Sequence, residues 1–204
     1  MELICPFADQ SLKMKSKGHY PFNYPTGAVI HFTAGKSIKS SISYGVTQGY
    51  GFWGIDRSGE LYQTMPLNEW GAHAGQSRWN DQVNVSRYFL GIEIASAGRL
   101  TVCDDGSYRT WWGDEIPKDR VRVGLAKENC VEGVYEAYTD AQEATLIKLI
   151  CWLKRNHPLT FNLDNVVGHD EIAPGRKQDP GWSLSMTMPE FRELITKRQH
   201  LGAV

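Results

Sequence analysis

Short apolar runs bounded by turn residues recur along the chain, and their lengths are typical of strands. Residues 27–33 and 90–95 are largely apolar and predict buried strands. Residues 51–56 and 60–65 are two further strand-like pieces separated by a glycine-containing turn, so they indicate a hairpin. Another strand is expected at about 165–169.

Apolar residues at helical spacing predict helices between these strands. The clearest covers 140–156, and a second covers about 188–199. Capping-box patterns that begin at Thr139 and Thr187 precede them. A shorter helix is expected where three apolar residues recur at every fourth position: Ile38, Ile42 and Val46.

Strands that alternate with helices indicate an α/β fold, with a central mixed β-sheet flanked by helices. Residues 99–138 do not follow this pattern, because they are polar, aromatic, rich in glycine and irregular. We interpret them as an insertion near the functional site, since long loops in compact domains are usually functional. The chain shows neither an internal repeat nor a flexible linker, so 1–204 is expected to form a single domain and a monomer.

The composition narrows the classes of partner. A hydrophobic fraction of 41% in 204 residues is enough for a real core, and a net charge of −1 gives no electrostatic footprint for nucleic acid or for a membrane surface. The first residues lack the basic and apolar regions of a secretory signal, and no apolar run approaches the roughly 20 residues of a membrane-spanning helix. We therefore expect synthesis in the cytoplasm and no membrane insertion. The site of action is then the cytoplasm, or the periplasm after delivery by a non-Sec route.

The four cysteines show no C-x-x-C spacing, so they indicate neither a zinc ribbon nor a redox motif. Cys103 and Cys130 flank part of the insertion and could bridge it. Free thiols are the alternative, and a cytoplasmic start favours them.

Two histidines and one carboxylate form a candidate metal site. His31 lies near the end of the first apolar run, whereas His169 and Asp179 share one strand-then-loop segment. This is a known ligand set for a catalytic zinc, in which the fourth position is left to water. A histidine beside an apolar strand is also commonly structural, so the spacing alone leaves both roles open.

Glu93 lies within an apolar predicted strand, with Gly91 and Ala95 as its neighbours on the same face. A carboxylate there must be paired, hydrogen-bonded or neutralised. A salt bridge and a general base are both compatible with that requirement. Lys177 is two residues from Asp179, so in an extended chain both point to one side, where a cation could hold a developing oxyanion.

Further candidates also have structural alternatives. His73 is flanked by small residues, which favour close approach of a ligand, but its spacing slightly favours a surface loop. Arg176 could grip a carboxylate with its planar guanidinium or remain solvated. The aromatic residues Trp111, Trp112 and Tyr108 could stack on sugar faces or anchor the insertion to the domain.

The order of these motifs resembles one family, the zinc-dependent N-acetylmuramoyl-L-alanine amidases of the amidase-2 group. That group includes AmpD-like amidases, many phage endolysins and the peptidoglycan recognition proteins. The resemblance covers nearly the whole chain. The segments that carry it are 29–35, 55–63, 72–75, 90–94, 137–142, 167–169, 174–177 and 179–181.

The resemblance implies a mixed-sheet α/β fold and cleavage of the amide between N-acetylmuramic acid and the first L-alanine of the stem peptide. The zinc ligands that it implies are His31, His169 and Asp179. Glu93 matches the family's catalytic glutamate and Lys177 the lysine that stabilises the tetrahedral intermediate. Arg176 and His73 look like residues on the substrate side. The chain departs from the family at Tyr50-Gly51-Phe52-Trp53 and in the length of 99–138.

The expected function is therefore hydrolysis of peptidoglycan, with polymeric cell wall as the substrate and an endolysin or antibacterial role. One alternative is a cytoplasmic recycling amidase that acts on soluble anhydro-muropeptides. A second is a non-catalytic peptidoglycan-binding module. A zinc peptidase with the helical H-E-x-x-H motif is excluded, because the motif is absent.

Overall fold

Strands and helices alternate through most of residues 2–200, the part of the chain that the computed structural model describes. The strands are β1 (Gly27–Phe32), β2 (Trp53–Ile55), β3 (Leu61–Tyr62), β4 (Arg78–Trp79), β5 (Gln82–Val83), β6 (Phe89–Ile94), β7 (Thr101–Val102), β8 (Tyr108–Arg109), β9 (Glu115–Ile116), β10 (Val121–Gly124), β11 (Gly133–Glu136) and β12 (Val166–Gly168). The α-helices are α1 (Ile38–Gln48), α2 (Asp140–Asn156), α3 (His169–Ile172) and α4 (Met188–His200).

The central sheet has the strand order β12-β1-β6-β2-β3. Its first four strands are parallel, and β3 pairs antiparallel with β2. The predicted mixed sheet and the predicted hairpin are therefore confirmed. The middle strands read as continuous apolar runs because the sheet is covered on both faces. This arrangement brings the carboxyl ends of four parallel strands to one edge of the sheet.

Helix α2 begins at Thr139 with the predicted capping box and buries its apolar face in the main core. Helix α4 packs against α2 and buries Phe191 and Ile195. In α1, Ile38 and Ile42 are buried as predicted, but Val46 is exposed. A four-residue step overshoots one helical turn by about 40°, so the third residue of such a series has rotated away from the core.

The insertion at 99–138 is more regular than predicted, because it contains two small antiparallel sheets. One has the order β7-β8-β9 and the other pairs β10 with β11. Most of these strands have two residues, which is too short for an alternating pattern to be recognised in the sequence. A small core formed by Ala97, Leu100 and Ile116 holds the insertion together.

All four cysteines are free thiols, so the structure contains no Cys103–Cys130 bridge. Within residues 2–200, no helix combines the length and the apolar character that crossing a membrane requires.

Candidate active site

The three predicted ligands converge at the carboxyl edge of the central sheet. His31 lies in β1, and His169 follows directly after the neighbouring strand β12. Because Ile30 is paired with Gly168, the two imidazoles lie side by side. Nδ1 of His31 is 2.8 Å from Oδ2 of Asp179, and Nδ1 of His169 is 3.0 Å from the same oxygen. All three side chains are buried, and one ligand atom from each lies within 4.8 Å of the others.

His73 fixes the orientation and the tautomer of His31. Nε2 of His73 is 3.0 Å from the carbonyl oxygen of Phe89, which can only accept, so this nitrogen donates. Burial and the nearby His31 hold the pKa of His73 well below its usual value, so the ring is neutral and its Nδ1 accepts. The partner of that Nδ1 is Nε2 of His31 at 3.0 Å, which therefore donates.

Nδ1 of both candidate histidine ligands faces Asp179, because each Nε2 is engaged on the other side of its ring. Burial and the neighbouring His169 lower the pKa of His31 to about 4. Nε2 of His169 donates to the carbonyl of Ala74 at 3.0 Å, so Nδ1 is the nitrogen that turns inward.

Asp179 completes this ligand set as an ionised carboxylate. Burial alone would raise the pKa of Asp179, but its contacts with His169 and His31 hold it well below its usual value. A cation that replaced the protons of these hydrogen bonds would meet two imidazole nitrogens and one negative oxygen. The residues therefore fit a metal, and nitrogen and oxygen ligands of this kind suit zinc.

Glu93 stands beside this cluster and forms no salt bridge with the side chains described within residues 2–199. It is paired with His31 across β1 and β6 and with Gly54 across β6 and β2. Its Oε2 is buried and lacks a hydrogen-bond partner within the described residues. Burial and the charge of Asp179 raise the pKa of Glu93 well above its usual value, while Lys177 opposes that shift. The salt-bridge alternative for Glu93 is therefore wrong.

Gly91, which neighbours Glu93 on the same face of the strand, has a structural role. A Cβ on Gly91 would lie 2.4 Å from the ring of His73, so Gly91 makes room for that imidazole and not for a substrate. His73 is also not the surface-loop residue that its spacing favoured. Protein atoms lie within hydrogen-bond distance of both its ring nitrogens.

A cavity of about 340 Å³, called the central cavity here, contains the candidate residues. Lys177 and the exposed Arg176 lie at its wall together with Glu93. Nη2 of Arg176 donates to the carbonyls of Ala74 and Gln76 at 2.8 and 2.5 Å. Arg176 therefore fastens the loop that follows His73, in addition to facing the cavity.

The predicted aromatic cluster divides into two parts. Tyr108 and Trp112 pack on the small core of the insertion. Trp111 is exposed and projects toward the site, where its Nε1 donates to the carbonyl of Ala34 at 2.9 Å. The insertion thus lies near the functional site, as its length suggested.

Several residues of the site had no signal in the sequence. The carbonyls of Phe89 and Ala74, which set the histidine tautomers, belong to backbone that no spacing rule identifies. Tyr44 and Tyr50 line a neighbouring cavity. What distinguishes these two tyrosines is that their large aromatic side chains are exposed, and the sequence does not show exposure.

Comparison with known proteins places this geometry in a family. A profile of the Amidase_2 family, described as N-acetylmuramoyl-L-alanine amidase, matches residues 21–182. The chain is 27% identical over 146 residues to the 1,6-anhydro-N-acetylmuramyl-L-alanine amidase AmpD of Salmonella typhimurium (strain SL1344). That match covers 72% of this chain and 57% of the relative, so the chain spans little more than half the length of that protein.

Solved structures show the same fold. A selenomethionine derivative of AmpD superposes with a TM-score of 0.58 at 22% identity, over 95% of this chain and 97% of that one. AmpDh3 from Pseudomonas aeruginosa, solved with an anhydromuramic pentapeptide, gives a TM-score of 0.59 at 20% identity, over 96% of this chain and 67% of that one. By the extent of the profile match, the chain belongs to the Amidase_2 family of N-acetylmuramoyl-L-alanine amidases.

Proposed function

We propose that the chain is a zinc-dependent N-acetylmuramoyl-L-alanine amidase, which hydrolyses the amide between the lactyl group of N-acetylmuramic acid and L-alanine. One observation carries the proposal. A metal-ligand triad, a carboxylate without a charged partner and a lysine line one cavity in a member of this family.

The metal would be held by His31, His169 and Asp179. When bound, zinc supplies a Lewis acid and lowers the pKa of a water molecule. The protein's own contribution is to hold two imidazoles with Nδ1 turned toward the ligand cluster. The hydrogen bonds of His31 to His73 and of His169 to Ala74 support that orientation.

Glu93 is proposed as the general base. Burial raises the pKa of Glu93 well above its usual value, and a carboxylate with a raised pKa is a stronger proton acceptor than a solvated one. It takes a proton from the attacking water and delivers it to the amide nitrogen of the leaving L-alanine. Oε2 lacks a hydrogen-bond partner among the described residues, so this oxygen is available to a water molecule.

Lys177 is proposed to hold the oxyanion that forms when water adds to the amide carbonyl. It lines the same cavity as Glu93 and lowers the pKa of that residue, which places its positive charge close to the reacting groups. Arg176 is proposed to contact a carboxylate of the stem peptide from the cavity wall.

Polymeric peptidoglycan is the proposed substrate, in an endolysin or antibacterial role that requires delivery outside the cytoplasm. The observation that favours it is the insertion, which projects Trp111 toward the site. The similarity to 1,6-anhydro-N-acetylmuramyl-L-alanine amidases favours the second candidate, hydrolysis of soluble anhydro-muropeptides in the cytoplasm. A non-catalytic binding module is the less favoured proposal, because the ligand triad, Glu93 and Lys177 are all present.

Mass spectrometry of digests tests both the activity and the substrate. The protein is incubated separately with intact sacculi and with a soluble anhydro-muramoyl peptide. We expect free stem peptides with an N-terminal L-alanine from both, and release from sacculi distinguishes the polymeric role from recycling. Absence of such peptides from both substrates, with zinc bound, would contradict the amidase proposal.

A further inference from the structure

A second cavity of about 500 Å³, called the aromatic cavity here, adjoins the central cavity. The two share Thr33, Ala34, Tyr50, Phe52 and Glu93 as a common wall. The aromatic cavity therefore begins at the reaction site and extends away from it, toward α1 and the insertion.

Three large aromatic side chains surround this cavity although they are exposed. Trp111 is 73% exposed, Tyr44 61% and Tyr50 42%. Exposed aromatic residues that line one concave surface are typical of a binding site, because isolated ones are common but clustered ones are not. Flat aromatic faces present apolar area with few rotatable bonds, so ordering them on binding costs little entropy.

Trp111 is held in place before any ligand arrives. Its Nε1 donates to the carbonyl of Ala34, which belongs to the shared wall. Its ring meets the edge of Trp112, with a centroid distance of 5.4 Å and an interplanar angle of 89°. Trp112 is in turn fixed by a hydrogen bond of 2.5 Å to Asp114 and by packing on the core of the insertion.

The polar groups of the aromatic cavity are mainly hydroxyls. Ser40 and Ser41 line it, and each donates its hydroxyl hydrogen to the carbonyl of Ser37. Their oxygens therefore keep lone pairs for an incoming hydroxyl or amide donor. Glu93 in the shared wall is the charged residue among the lining residues of this cavity.

Another part of the central cavity wall has a different character. A third cavity of about 320 Å³ shares Ala72 and Gly75 with the central cavity and is lined by Arg87. Arg176 and Lys177 line the central cavity itself. Cations on this side suit the carboxylates of a stem peptide, whereas hydroxyls and aromatic faces on the other side suit a neutral sugar.

We propose that the aromatic cavity is a sugar subsite, in which a neutral N-acetylated hexosamine of the glycan chain stacks on Trp111. Tyr44 and Tyr50 close the sides of the subsite, and Ser40 and Ser41 accept hydrogen bonds from the sugar. The inference rests on the proposed amidase function, because it takes the muramoyl amide to lie at the shared wall. It makes Trp111 a determinant of preference for glycan chains over single sugars.

The first experiment measures binding of a probe that has no amide to cleave. The probe is a peptide-free tetrasaccharide of alternating N-acetylglucosamine and N-acetylmuramic acid, titrated calorimetrically into the zinc-loaded protein. We expect saturable binding that Trp111→Ala weakens roughly 10-fold and that Trp111→Phe, which keeps a flat face, restores to within about 3-fold. Phe22→Ala is the matched control, since Phe22 is an exposed aromatic residue that lines none of the three cavities.

The second experiment compares kcat/KM on two substrates that carry the same dipeptide, one on a single N-acetylmuramic acid and one on the tetrasaccharide. Trp111→Ala should lower the value roughly 10-fold on the tetrasaccharide and less than about 2-fold on the monosaccharide. Equal losses on both substrates, or tetrasaccharide binding that Trp111→Ala leaves unchanged, would overturn the sugar subsite. Binding that depends on Trp111 together with no amide cleavage on any substrate would instead overturn the amidase proposal and leave the subsite standing.

Discussion

At the scale of single residues, the chemistry of the site depends on which proton each imidazole carries. Residue types and spacing made the three ligands, Glu93 and Lys177 candidates, and the family resemblance singled them out. The structure brings these residues to one cavity. The spacing could not predict that His73 stands behind His31, because their hydrogen bond joins a strand to a distant loop. The spacing also could not predict that Trp111 lines a cavity whereas Trp112 packs on the small core of the insertion, because adjacent residues can point in different directions.

Glu93→Gln should lower kcat by roughly 10²–10⁴ while zinc content and fold are kept, because the amide preserves shape but cannot accept the proton of water. Steady-state kinetics on a soluble muramoyl peptide, with metal analysis of the same sample, provide the measurement. Activity within a few-fold of the parent would show that Glu93 is structural.

Lys177→Ala should lower kcat by roughly 10²–10³ and change KM little, since the positive charge meets an oxyanion that exists only in the transition state. The split between kcat and KM is the informative readout. Unchanged kcat with a raised KM would place Lys177 in binding of the ground-state substrate. Lys13→Ala is a suitable control, because Lys13 is a lysine that does not line the central cavity.

The thiols offer a test of burial that depends on pH. Burial raises the pKa of Cys5 to about 11 and that of Cys130 to about 12, so both remain neutral at pH 8 and react slowly while the protein is folded. Because these folded-state pKa values are raised, the stability that the neutral thiols contribute is present below a pH of about 8.5 and decreases as the pH rises further.

The measurement is labelling with a thiol-specific reagent at pH 8. Cys103, which is partly exposed, should react first, and four thiols should react once the protein is unfolded in denaturant. Two thiols in denaturant without reductant would instead indicate a bridge between Cys103 and Cys130.

At the scale of elements, long periodic segments were predictable and short ones were not. Helix α2 and strand β6 each display a pattern long enough to identify their type, and the structure confirms them. The two-residue strands of the insertion carry no such pattern, so their pairing follows from tertiary packing. The insertion is fastened to the central sheet mainly through Glu136, which is buried and pairs with Arg57 and Arg120.

Glu136→Gln should lower the free energy of unfolding by about 2–3 kcal/mol. That is less than the roughly 3–5 kcal/mol for breaking a fully buried pair, because the Arg120 side chain is 39% exposed. Urea denaturation provides the measurement, and limited proteolysis should show earlier cleavage within 99–138.

The matched control is Glu115→Gln, whose ion pair with Arg109 is exposed on both sides and should contribute less than about 1 kcal/mol. If both variants were equally stable, Glu136 would not anchor the insertion.

At the scale of the whole molecule, two cavities adjoin the central cavity, and the central cavity contains the candidate metal centre. The sheet order explains why the site forms there, because β12, β1 and β6 are consecutive neighbours and each brings a candidate residue to the same edge. The sequence predicted the α/β class and the mixed sheet. It could not predict the cavities, since their walls combine residues that are distant in the sequence.

The central claim is that His31, His169 and Asp179 hold one zinc ion, and metal analysis of the purified protein tests it most directly. The parent should contain about one zinc per chain, and His31→Ala, His169→Ala and Asp179→Ala should each lose it, because each removes one of three protein ligands. His19→Ala is the control, since His19 is exposed and lies outside the ligand cluster, and it should retain the metal. Full zinc occupancy in all three ligand variants, with folding intact by circular dichroism, would contradict the account.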